Sequence, residues 1–317
     1  MRRVRHTAEA LTLQHVPAPA PGPGQLLVRT EAIGVTLPAV RALTPRPGHT
    51  GPTPDTAPRP VAGEVAGTVE ATGPDVTGYA PGDRVTGLCF GDAYAELAVL
   101  EVAMASPVPR TATADEAVAL LRGGLVAYGA LDAARPQPGE TALITGAASG
   151  AGHLALQLAR LRGAGRVVAA VSDPAAKGPF LRDLGADSVI GYDGPDWPAA
   201  AREAPAYVLD AVGGELLAPA VRALADGGRL IAYSSGSGPL TGHDLLSGGK
   251  TVTGFQLARV ARDQPHRYTA WRDELWRLHA TGELRPRIAA RIPLEDAATA
   301  HALLTDRANL GKVLLIP

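Results

Sequence analysis

Three observations predict an α/β protein in which a doubly wound parallel sheet is joined to a smaller β-rich domain. Residues 141–161 read as a strand, a turn of very small residues and a helix. From 166 to 255 strand and helix patterns alternate, bringing the strands of that region to six. The residues before 113 carry short strand patterns broken by Pro and Gly, with no long helical period. A chain of 317 residues is long for one domain and suits two.

Composition narrows the class further. The chain is 46% hydrophobic with a formal net charge of −1, enough to build real cores and too balanced to attract nucleic acid or an anionic membrane. Cys89 is the only cysteine, so an internal disulfide is impossible and a Cys-rich zinc lobe is excluded. It reads as a small core residue between Leu88 and Phe90. The opening MRRVRHTAEALTLQHV lacks a signal-peptide core, and no run approaches a membrane span, which together predict a cytoplasmic protein.

Taken in order, Leu11–Leu13 and Gln25–Ile33 read as strands separated by the proline-rich loop Pro17–Gly24, which cannot be helical. Residues 44–60 have no periodicity, and a loop of that length is functional or disordered. Glu64–Glu70 and Pro81–Val85 continue the strands and turns. Thr113–Ala134 has a helical pattern, with Thr113 or Asp115 as cap and Arg122-Gly123-Gly124 as an interruption. Strands follow at 141–145, 166–171, 188–190, 207–210, 229–233 and 251–255. Helical patterns lie between them at 174–184, 197–203 and 216–224. Trp271–Thr281 and Leu294–Thr305 read as two further helices, before a last strand at Lys312–Ile316.

The segment Thr141–Leu161 predicts a phosphate cradle. A continuous apolar run becomes a buried parallel strand, and Leu154, Leu158 and Leu161 recur at helical spacing. The first N–H groups of a helix lack partners within it, and its dipole places partial positive charge there, so a pyrophosphate binds well. The turn reads Ala147-Ala148-Ser149-Gly150-Ala151-Gly152 where G-x-G-x-x-G is usual. Ala147, Ser149, Gly150, Ala151 and Gly152 are therefore candidate cofactor residues, with the Ser149 hydroxyl a possible phosphate donor. The alternative is a tight turn that binds nothing.

The order of motifs resembles the medium-chain dehydrogenase/reductases, and within them the zinc-independent quinone oxidoreductases. The resemblance rests on Pro60–Glu70, Gly73–Thr77, Pro81–Val85, Ala93–Glu96, Leu121–Tyr128, Gly146–Gly152, Leu184–Asp187, Asp210–Gly214 and Gly311–Leu314, which span nearly the whole chain. It implies a GroES-like catalytic domain over 1–115 and 264–317 and a Rossmann domain over 116–263. It also implies a homodimer through the edge strand at 251–255. Two departures stand out: Thr36 replaces an asparagine expected near the nicotinamide, and Arg41 stands where a substrate-pocket tyrosine is frequent.

Zinc is not expected. The alcohol dehydrogenases of that superfamily need Cys, His and Glu ligands, yet their usual Gly-His-Glu reads Ala62-Gly63-Glu64 here. Without a metal the acceptor must be activated already, as a quinone or a conjugated enone. Hydride then adds to carbon while hydrogen-bond donors hold the developing oxyanion. The candidate donors, in the expected cleft between the domains, are Thr36, Arg41 and His49; each also has a bland reading, as a packing residue or a solvated loop charge. An arginine at 41 points to an acceptor with an acidic or strongly polar group.

Cofactor choice is read after the second strand of the dinucleotide domain. The resemblance places Ser172, Lys177, Tyr192 and Arg307 around a 2′-phosphate, which favours NADPH over NADH. Asp173 is the contrary signal, unless it only caps the following helix. Val212, Ser234 and Phe255 complete the cofactor residues implied. The leading reading is an NADPH-dependent quinone or enone reductase. An enoyl-thioester or polyketide-intermediate reductase is the close alternative, and a non-catalytic NADPH-binding sensor or structural protein the alternative of another class.

Overall fold

Apolar runs between Pro and Gly punctuation become the strands, and their continuous or alternating character separates the two sheets. The computed structural model describes residues 1–7, 10–43, 58–192, 194, 196–233 and 238–317. They divide into one unit of 1–122 with 288–317 and a second of 123–287.

In chain order the elements begin with β1 (Arg2–His6), β2 (Leu11–His15), β3 (Gln25–Gly34), α1 (Leu37–Leu43), β4 (Gly63–Thr72), β5 (Arg84–Cys89), β6 (Leu97–Glu101) and β7 (Ala105–Pro107). The long helix α2 (Ala114–Ala134) follows, and the division between the units falls inside it. The second unit continues with β8 (Thr141–Thr145), α3 (Gly152–Leu161), β9 (Arg166–Ala170), α4 (Pro174–Asp183), β10 (Ser188–Ile190), β11 (Tyr207–Asp210) and α5 (Leu217–Ala223). It closes with β12 (Arg229–Ala232), α6 (Gly242–Leu246), β13 (Thr251–Gly254), α7 (Leu257–Asp263) and α8 (Pro265–Ala280). The chain then returns to the first unit with β14 (Ile288–Pro293), α9 (Ala297–Thr305) and β15 (Lys312–Ile316).

The first unit is built on a sheet ordered β14-β15-β3-β4-β5-β7, with β6 also pairing β3, beside the two-stranded β1-β2 ribbon. Its pairs are antiparallel except β14 with β15. Leu26, Val28, Ile33, Val65, Val85, Tyr94, Leu100 and Leu315 fill its core. This is the GroES-like half of the expected fold.

The second unit carries the doubly wound sheet. Its order is β10-β9-β8-β11-β12-β13 and every pair is parallel. All five residues of β8 are buried, as a strand covered on both faces requires. The order reverses between β8 and β11, so the carboxyl ends of these two strands open the crevice where such sheets bind ligands.

Several elements differ from expectation. Arg122-Gly123-Gly124 does not interrupt α2, because the glycines serve packing. A Cβ on Gly123 would lie 2.8 Å from the Gly150 carbonyl oxygen, and one on Gly124 would lie 3.1 Å from Leu275. Thr113 is the residue that caps this helix: its hydroxyl accepts from the Glu116 N–H at 3.2 Å while Glu116 accepts from the Thr113 N–H at 2.8 Å. By length and composition α2 could cross a membrane, contrary to the expectation that no run approaches a span, but it is mostly buried within the fold. Helix α8 starts at Pro265, before the expected Trp271. The unit boundaries lie at 122/123 and 287/288, where 115/116 and 263/264 were expected. Packing explains the second shift: Trp271 of α8 stacks near Tyr128 and Phe255, which ties α8 to the dinucleotide unit.

Candidate functional site

The site is built where β8 hands over to α3. Gly146 turns the chain with φ of +59°, in the region that favours glycine. The Ser149 N–H closes the turn on the Gly146 carbonyl at 2.9 Å. Gly152 opens α3 so close to the turn that an added Cβ would sit 2.2 Å from the Gly146 carbonyl oxygen. The small-residue turn thus exists to bring backbone against backbone. Ala147 is fully buried beneath it, while Ser149, Gly150 and Ala151 are half-buried. Ser149 Oγ accepts from the Gly152 N–H, the first of α3, at 3.0 Å.

The neighbouring strand ends add side chains. Lys177 Nζ donates to Ser172 Oγ at 3.0 Å, so these two candidates are brought together. Asp173 accepts from the Ala176 N–H at 2.9 Å through Oδ1 and so caps α4. Tyr192 Oη donates to the Ala170 carbonyl at 2.7 Å and accepts from the Gly146 N–H at 2.6 Å, which makes it a brace for the turn. The Val212 side chain lies beside Gly146, 3.4 Å from where a Cβ would stand.

Phe255, directly after β13, sets its ring against Gly129 and near Trp271. Arg307 belongs to the first unit, exposed in the turn after α9 with φ of +55°. Ser234 and His49 lie outside the described residues, as do residues 44–57 of the loop singled out in the sequence.

In the first unit Thr36 is buried and caps α1, its Oγ1 accepting from the Ala39 N–H at 3.3 Å. Arg41 is exposed in the last turn of the same helix. Beneath Gly34, Glu64 forms ion pairs with Lys312 at 2.7 Å and Arg122 at 3.2 Å. The pairing escaped sequence reasoning, because its three residues come from distant parts of the chain.

A zinc ion does not fit these residues. Glu64 is already neutralised by two cations. Burial pushes the Cys89 thiol up to about 11, so it stays a neutral core group. Among the described residues no group of three His, Cys, Asp or Glu side chains is placed to hold a metal. The glycine turn does fit a dinucleotide. Its cradle admits no side chain at Gly152, and the N–H groups of Gly150 and Ala151 have no protein partner among the described residues.

A Rossmann unit with a phosphate cradle, joined to a GroES-like unit, defines a dinucleotide-dependent oxidoreductase. Comparison with known proteins agrees. The family profile of the alcohol dehydrogenase GroES-like domain matches residues 22–110, and that of zinc-binding dehydrogenase matches 184–315. A quinone oxidoreductase of Pseudomonas aeruginosa is 32% identical, the match covering 94% of this chain and 92% of that protein. A 2-haloacrylate reductase of Burkholderia is 30% identical over 96% and 94%. A mycobacterial protein solved in complex with NADPH superposes with a TM-score of 0.89 at 30% identity, covering all of both chains. The chain belongs to the medium-chain dehydrogenase/reductase superfamily.

Proposed function

We propose that this oxidoreductase uses NADPH to reduce a quinone or an α,β-unsaturated carbonyl compound without a metal. The single observation that carries the cofactor choice is the Lys177–Ser172 pair, a cation and a hydroxyl held together beside the glycine turn. Ser172 stands at the strand end that reads the adenosine ribose, and a cation with a hydroxyl there suits a 2′-phosphate. The similar mycobacterial protein was solved with NADPH, which supports the same choice.

The metal-free reading follows from Glu64, which is held by Lys312 and Arg122. Reduced nicotinamide supplies the hydride, and the protein supplies position and hydrogen-bond donors. A conjugated acceptor needs no Lewis acid, because the charge that develops spreads onto its oxygen. Thr36 and Arg41 are the proposed donors of the first unit, and an exposed arginine at 41 favours an acceptor bearing a carboxylate. The similar 2-haloacrylate reductase is named for a substrate of that kind.

The experiment is steady-state NADPH oxidation with p-benzoquinone, 2-chloroacrylate and cyclohexanone, each with and without a chelator. The expected result is turnover of one or both conjugated acceptors, untouched by the chelator, with cyclohexanone inert. Turnover that disappears with the chelator and returns with zinc overturns the reading.

A further inference from the structure

The sheet reverses its order between β8 and β11, and a single carboxylate ties the two strand ends together there. Asp210, the last residue of β11, is 2% exposed; Thr145, the last of β8, is fully buried. Thr145 Oγ1 donates to Asp210 Oδ1 at 2.5 Å and accepts from the Ala211 N–H at 3.0 Å. Asp210 Oδ1 also accepts from the Val212 N–H at 3.2 Å, and Oδ2 from the Gly213 N–H at 3.0 Å. Three consecutive backbone donors, 211 to 213, are thereby gathered onto one hydroxyl and one carboxylate. The chain next turns sharply through Gly213 and Gly214, with φ of +64° and +63°. On the other side Thr145 passes directly into Gly146, whose position touches Ala211 and Val212.

Nothing in this cluster is a cation. Among the described residues the hydrogen-bond partners of Asp210 are one hydroxyl and two amides, and burial pushes its carboxyl above the usual range. A buried carboxylate with no counter-ion among the described residues is a costly way to close a turn. Its location, at the strand ends where a doubly wound sheet receives its ligand, accounts for that cost.

We propose that Asp210 and Thr145 are positioning residues for the dinucleotide: their hydrogen bond latches the turn at 146–151 to the turn at 211–214, so that both walls of the crevice are held ready for the cofactor. The inference rests on the reading that the chain binds NADPH. Breaking the latch leaves the residues that touch the cofactor in place but lets the two turns move independently. The loss therefore falls on cofactor affinity, with the rate at saturating NADPH preserved.

The test is a fluorescence titration of the purified full chain with NADPH, beside thermal unfolding by circular dichroism. Thr145→Val removes the hydroxyl at constant shape, Thr145→Ser keeps it, and Asp210→Asn leaves one backbone or hydroxyl donor without an acceptor. The expected result is a dissociation constant raised about tenfold or more in Thr145→Val and Asp210→Asn, held within about twofold in Thr145→Ser, and kcat nearly unchanged. If Thr145→Val does not fold, Asp210→Asn is read in the same way, with Thr145→Ser as the control. A folded Thr145→Val or Asp210→Asn protein that melts earlier but binds NADPH like wild type makes the latch a matter of stability alone and overturns the proposal. Failure of wild type to bind NADPH overturns the underlying reading and the latch with it, which sets that outcome apart from the first.

Discussion

At the scale of single residues, the site works through small polar groups held by their neighbours. Lys177 is buried against Ser172, so its charge is presented from a fixed place. Lys177→Ala is expected to weaken NADPH by about tenfold or more and to leave NADH nearly unchanged, because one charge-assisted bond contributes roughly 1.5–3 kcal/mol. Fluorescence titration with both cofactors checks this. Equal losses for the two would remove Lys177 from the 2′-phosphate. A second residue sets a pH dependence in the first unit. Buried Tyr94 shares a hydrogen bond with His301 Nε2 at 3.1 Å, and burial, aided by the charge of His6, lowers His301 from 6.5 to about 4. Its folded pKa is depressed, so the stability that neutral His301 contributes is complete above about pH 6.5 and is lost as pH falls toward 4. His301→Gln can still accept from Tyr94 without titrating. Its thermal midpoint should fall less than that of wild type across this window, and parallel curves would assign the acid sensitivity elsewhere.

At the scale of elements, the glycine turn sets the tightest limit. Gly152→Ala puts a methyl group 2.2 Å from the Gly146 carbonyl oxygen, so α3 must move off the turn. Overpacking of this kind costs about 1–3 kcal/mol. The variant is expected to melt earlier and to lose measurable NADPH binding, as read by thermal unfolding and titration. Unchanged binding would show that the cradle does not hold the pyrophosphate. The six strands of the parallel sheet were legible in the sequence because each is a short apolar run between turn signals, independent of the rest of the chain. Helix α1 was not: seven residues with Pro38 in the first turn give no repeating pattern, and only the cap by Thr36 shows that it starts there. Strand β14 mixes Ala and Arg at a sheet edge and hides its alternation. Ser172 and Lys177 were legible through the family resemblance, and only the start of α4 shows that they hydrogen-bond each other. The Asp210–Thr145 pair, 65 positions apart, depends on the register of β8 with β11 and has no local signature. Tyr192 was legible as a residue of the site, but its bracing of Gly146 depends on the meeting of three strand ends.

At the scale of the whole molecule, β13 is the open edge of the dinucleotide sheet. It pairs only with β12 among the described residues, and Thr251, Thr253 and Gly254 are exposed along it. We propose that a second copy pairs with this edge, which otherwise invites unspecific association. Light scattering is expected to give twice the mass of one chain at micromolar concentration, and a single-chain mass would refute the pairing. Above this assembly stands the claim that the chain is a hydride-transferring reductase of conjugated acceptors. Its most direct measurement is transfer of label from NADPH carrying deuterium at both positions of nicotinamide C4. With 2-chloroacrylate as acceptor, the account predicts one deuterium at the carbon β to the carboxylate, the α-hydrogen coming from solvent, and no loss of label to water. NADPH consumed without deuterium in the product, or bound with no turnover of any quinone or conjugated carbonyl compound, would contradict it.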